Sequence, residues 1–135
     1  MTVVVDASVA IRWSVRMDRS DRADELMISG ETLIAPDLII AEITNVVWKL
    51  ITFEHRDAAL TSFAVHEAEK AFDELIPSSE LKDSALEIAL ALEHPAYDCF
   101  YLALAEQRRC KLVTADQRLH RRCAETSFAK IVTLL

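Results

Sequence analysis

The chain opens on Thr2-Val3-Val4-Val5, a β-branched run that closes directly on an acidic residue, Asp6. Three consecutive valines leave no polar face, the pattern of a strand covered on both sides. Shorter runs of the same kind occur at residues 32–35, 75–76, 111–114 and 131–133. Helical patterns separate them, at residues 9–16, 19–29, 37–52, 57–73, 80–92, 96–109 and 117–123. Strands alternating with helices predict an α/β fold, a mostly parallel sheet with helices on both faces. Pro36 and Pro95 each stand where a helix is expected to begin.

A chain of 135 residues fits one domain, 1–135, and has no room for a second. Its hydrophobic fraction of 52% suffices for a core without disulfide staples. Cys99, Cys110 and Cys123 are odd in number and lack paired metal-ligand spacing, so reduced thiols and a cytoplasmic location are expected. The five residues before Asp6 are too few for a signal-peptide core. The apolar region 33–51 carries Asp37, Glu42 and Lys49, which argues against a membrane span.

The formal net charge of −7 argues against a nucleic-acid partner until its distribution is considered. Residues 51–100 hold 11 acidic and 3 basic side chains, whereas residues 101–135 hold 7 basic and 3 acidic ones. The basic set of Arg108, Arg109, Lys111, Arg118, Arg121, Arg122 and Lys130 is either a solvated face or a rim that meets phosphates.

Open parallel sheets bind ligands at the carboxyl ends of their strands. Asp6 follows the first strand, Asp116 follows the fourth, and Glu42 lies in the second turn of the helix leaving the second. Asp98 lies in the first turn of the helix after Pro95 and joins this rim if that end of the helix points the same way. Glu42 sits on or beside an apolar helix face, and Asp98 shares its face with Leu102 and Ala105. Carboxylates facing a core are costly unless paired or bound to a cation. With no Lys or Arg within a turn of Asp98, a hard ion such as Mg²⁺ or Mn²⁺ is the natural partner. Ser8 and Thr114, in Asp6-Ala-Ser8 and Thr114-Ala-Asp116, either support such a ligand or serve turn chemistry. Asn45 either orients Glu42 or is a satisfied buried amide. Taken singly, Asp6 and Asp116 also read as helix caps, Asp98 as a dipole partner and Glu42 as a surface residue.

The segments V-V-V-D-A-S at 3–8, A-P-D-L-I-I-A-E-I-T-N-V at 35–46, Y-D-C-F-Y-L-A-L-A at 97–105 and L-V-T-A-D at 112–116 together resemble a PIN-domain nuclease. The similarity is greatest to the VapC-type toxins of bacterial toxin–antitoxin pairs, and it covers nearly the whole chain. It implies a five-stranded parallel sheet and a Mg²⁺- or Mn²⁺-dependent endoribonuclease. It also implies a homodimer held inactive by a cognate antitoxin. It places metal ligation and catalysis on Asp6, Glu42, Asp98 and Asp116, with Ser8, Asn45 and Thr114 in support. The expected chemistry is in-line attack on RNA by metal-activated water.

The alternatives are an RNA-processing housekeeping nuclease and a non-catalytic module on the same fold. A phosphate-loop or dinucleotide site needs a glycine-rich turn, and Gly30 is the only glycine. A two-component receiver needs a central strand where residues 45–70 read as continuous helix. His55, His66, His94 and His120 are expected at the surface. Trp13, Trp48 and Phe53 are expected in the core, or else in a groove for an antitoxin helix.

Overall fold

Residues Thr2–Val5 form β1, the middle strand of a five-stranded sheet, in a computed structural model that describes all 135 residues. The chain continues through α1 (Ala7–Ser14), α2 (Ser20–Met27), β2 (Thr32–Pro36), α3 (Ile39–Phe53), α4 (Ala58–Ala71) and β3 (Glu74–Ile76). It then runs through α5 (Lys82–Leu92), α6 (Ala96–Arg108), β4 (Lys111–Thr114), α7 (Gln117–Cys123) and β5 (Val132–Leu134). Strand order is β3-β2-β1-β4-β5, and every pairing is parallel.

The valines of β1 explain its central place. Val4 registers with Ile34 on one side and Leu112 on the other, and all three are buried in the larger core cluster with residues from α3 to α7. Val3 and Val5 project oppositely, into a smaller cluster with Leu33, Val9 and Ala23. Burying such side chains is worth about 1.5–3 kcal/mol each, which favours a strand with both faces covered. No helix is long and apolar enough to cross a membrane, and all three cysteines are free.

Several expectations need correction. Pro36 ends β2 instead of opening a helix; its missing N–H is tolerated there, and α3 starts three residues later. Pro95 does immediately precede α6. Residues 45–70 are not one helix. The chain breaks at residues 54–57, where His55 takes φ of 54° and Asp57 caps α4 through its side chain. No strand lies there, so the receiver reading still fails. Trp13 packs against both core clusters and donates to the Ala23 carbonyl. Trp48 and Phe53 instead form an edge-on pair at 5.4 Å and are 53% and 66% exposed, so they are not core residues.

Candidate active site

The order of strands fixes where a crevice opens. From β1 the chain proceeds outward to β2 and β3, then returns to the other side of β1 for β4 and β5. The junction between β1 and β4 is therefore the topological switch point, where connections leave in opposite directions. Asp6 and Asp116 stand just beyond the carboxyl ends of these two strands.

Asp6 caps α1, accepting from the Val9 amide at 3.3 Å, so its capping role is real. Its carboxylate also accepts from Ser8 Oγ on Oδ1 and from Thr114 Oγ1 on Oδ2, each at 2.5 Å. Ser8 Oγ in turn accepts from the Ala115 amide at 2.8 Å, and Thr114 Oγ1 from the Asp116 amide at 3.0 Å. These two hydroxyls stitch the ends of β1 and β4 around one carboxylate. Turn chemistry and support of Asp6 are thus one arrangement. Burial pushes the Asp6 carboxyl up to about 6, against the pull of the two hydroxyls.

Glu42 lies in the first turn of α3, not the second, because the helix begins at Ile39. Tyr101, buried in α6, donates its hydroxyl to Glu42 Oε1 at 2.5 Å. Burial raises Glu42 to about 6, the Tyr101 hydrogen bond lowers it, and the nearby charges of Asp98 and Asp6 raise it. Burial also raises Tyr101 well above the ordinary phenol value, and Glu42 adds to the effect.

Asp98 reaches the same rim because α6 precedes β4 and runs antiparallel to it, which puts its first turn at the carboxyl end of the sheet. His94 Nε2 lies 2.6 Å from Asp98 Oδ2, and the histidine side chain is 11% exposed. The surface expectation for His94 is therefore wrong. Pro95 is the N-cap residue of α6, and the His94 ring turns back from just outside the helix to meet residue 98. His55 and His66 are exposed. Asp116 caps α7, accepting from the amides of Arg118 at 2.9 Å and Leu119 at 3.4 Å.

One pocket of about 270 Å³ is lined by Asp6, Glu42, Asp98 and Asp116 together with Ser8, Asn45, Lys49 and Tyr101. The structure thus brings all four sequence-selected carboxylates to one cavity. Thr114 reaches that cavity only through Asp6. Asn45 is exposed on its wall, so it is not a buried amide. Lys49 is the single cation lining the pocket. Tyr101 is not singled out in the sequence, and His94 reads there only as a surface residue. Their signals were a phenol three residues after Asp98 on a helix face with no polar partner of its own, and an imidazole four residues before it.

Four oxygen donors, with the charged forms of Asp6 and Glu42 disfavoured by burial and by the Asp98 charge, fit a hard divalent cation in chemistry. As the side chains stand, no three of them close on one point as a ligand set. Each is held instead by a protein donor or imidazole.

An open parallel sheet with an acidic pocket at its switch point defines the class: a doubly wound α/β domain of the kind that works from its carboxyl rim. Within that class the chain belongs to the PIN domain family, which it matches over residues 3–125. It is 33% identical over 124 residues to Ribonuclease VapC3 of Pyrobaculum aerophilum, covering 88% of this chain and 92% of that one. It is 33% identical over 117 residues to Ribonuclease VapC9 of Mycobacterium tuberculosis, covering 87% of each. The crystal structure of PAE2754 from P. aerophilum superposes with a TM-score of 0.73 at 25% identity, over 94% of this chain and 81% of that one.

Proposed function

We propose that residues 1–135 form one nuclease domain, a divalent-metal-dependent endoribonuclease that acts as the toxin of a toxin–antitoxin pair. The observation that carries this reading is the meeting of four carboxylates, from four separate segments, in one pocket of a PIN-family chain. The relatives named as VapC ribonucleases support RNA as the substrate.

Asp6, Glu42, Asp98 and Asp116 would hold Mg²⁺ or Mn²⁺. When bound, that ion supplies Lewis acidity toward a phosphoryl oxygen and toward the attacking water. Ser8 and Thr114 fix the rotamer of Asp6, Tyr101 that of Glu42 and His94 that of Asp98. Lys49 would meet a substrate phosphate that the four acids repel. Whichever of Asp98 and Glu42 is not fully engaged would accept the water's proton.

The toxin assignment rests on the likeness to VapC ribonucleases. Exposed Trp48 and Phe53 of α3, paired edge-on, give an antitoxin helix or a second copy an apolar patch to cover. The reading places the protein in the cytoplasm, reduced and dimeric. RNA cleaved in Mn²⁺ should carry 5′-phosphate and 3′-hydroxyl ends, and a 2′-methoxy substrate should still be cut. Cyclic 2′,3′-phosphate ends would overturn the mechanism. Expression alone should arrest growth, with relief from the adjoining gene's product. Harmless expression of active enzyme would favour the housekeeping nuclease.

A further inference from the structure

The first turn of α6 presents two neighbouring side chains to two different cavities. Asp98 lines the acidic pocket, while Tyr97 lines an adjacent groove of about 360 Å³ with Leu38, Ala41, Glu42 and Asn45 of the α3 segment. Glu42 and Asn45 form the wall common to both. Tyr97 is 69% exposed, whereas Tyr101 one turn later is buried against Glu42. A tyrosine left in water beside an acidic pocket contributes nothing to the core. It does offer a flat aromatic face at the edge of the site.

We propose that this groove is a nucleobase subsite: Tyr97 stacks one unpaired base of single-stranded RNA next to the phosphate presented to the acidic pocket. The inference rests on the ribonuclease reading above. Charge favours a base as the occupant. The groove's own lining holds Glu42 and no cation, so it offers nothing to a phosphate, and its contacts with RNA must be ones that do not depend on positive charge. Stacking supplies such a contact and tolerates any base. Leu38 and Ala41 give the groove an apolar wall, and the exposed Asn45 amide carries both a donor and an acceptor for a base edge. A paired base keeps its faces buried in the duplex, so the subsite selects single strands and loops.

The test uses the full chain with Mn²⁺ and a mixed-sequence single-stranded oligoribonucleotide, comparing wild type with Tyr97→Ala and Tyr97→Phe. Cleavage kinetics, binding by fluorescence anisotropy, melting temperature and oligomeric state are measured for each. Tyr97→Ala should raise KM roughly 5- to 150-fold, with kcat nearly unchanged and the melting temperature preserved. Tyr97→Phe, which keeps the ring, should stay within about threefold of wild type. An abasic residue walked along the substrate should raise the wild-type KM at one position only. Tyr97→Ala should lose nothing further at that position, because the pair acts as a unit. Cleavage by wild type with unchanged KM for Tyr97→Ala overturns the subsite and leaves the nuclease reading intact. A change of oligomeric state with unchanged KM marks the groove as a contact between copies and equally overturns it. A folded wild type that neither cleaves nor binds RNA overturns the nuclease reading, and the subsite with it.

Discussion

Thr114 and Asp6 stand 108 residues apart in the chain, and the Thr114 hydroxyl donates to Asp6 Oδ2 at 2.5 Å inside the protein. The same hydroxyl oxygen accepts from the Asp116 amide, so one side chain links two of the four acids. Thr114→Val keeps the shape and removes both bonds. It should destabilise the protein by about 1–3 kcal/mol, the cost of leaving buried polar groups unpaired. Thr114→Ser should recover most of the loss. Urea unfolding of the three proteins measures this, and a Val variant as stable as wild type would show the linkage to be idle.

Acidity offers a second test. Asp6 is pushed up to about 6 in the folded protein, from an ordinary value of 3.8. The folded state therefore holds its proton more tightly than the unfolded state does. The resulting stabilisation is fully present below pH 3.8 and is lost as pH rises through 6, an effect of roughly 3 kcal/mol. With chelator present, the stability of wild type relative to Asp6→Asn should fall between pH 4 and pH 7. Saturating Mn²⁺ should abolish that fall, since ligation requires the ionised carboxylate. Parallel curves with and without metal would count against Asp6 as a ligand.

Asp98 raises the carboxyls of both Asp6 and Glu42 through its charge. Asp98→Asn should lower both midpoints, read by carbon NMR of the carboxyl groups in chelator. Stabilisation by a ligand depends on its concentration over the dissociation constant, so the melting shift on adding Mn²⁺ should also shrink. RNA cleavage should be largely lost. Unmoved midpoints would separate Asp98 from the cluster.

The arginines of α7 divide into two kinds. Arg122 Nε donates to the Leu92 carbonyl at 2.7 Å and a second nitrogen to the Glu93 carbonyl at 3.3 Å, closing the end of α5. Arg118 and Arg121 are exposed. Arg122→Ala should cost about 1–2 kcal/mol of stability, seen as a lower denaturant midpoint. Arg118→Ala with Arg121→Ala should leave stability alone and flatten the salt dependence of RNA binding. An unchanged salt slope would assign that surface to ordinary solvation.

Much of the architecture was legible because three valines before Asp6 demand a strand covered twice, and short apolar runs alternate with helical patterns along the chain itself. Asp6 and Asp116 were legible as acids placed just past the end of a strand, and Glu42 as an acid on the helix leaving one. Asp98 needed the rule that a helix leading into a parallel strand starts at that strand's far end. The partners of these acids were harder to see. Tyr101 meets Glu42 across 59 residues, a contact that only packing of α6 on α3 creates. His94 lies outside the helix whose residue it touches. Trp48 and Phe53 misled for the opposite reason. Aromatic residues normally bury, and nothing local told that the α3 face carrying them would be left bare.

The sheet's two borders carry one more implication. β3 and β5, its outer strands, are only three residues long. Each offers very few free backbone donors and acceptors to an incoming strand, so neither is a good template for fibril growth. Sticky contacts of this molecule with itself should therefore run through exposed side chains such as Trp48 and Phe53, and should be dissolved by solvents that wet aromatic surface. They should not mature into the cross-β deposits that long bare edges seed.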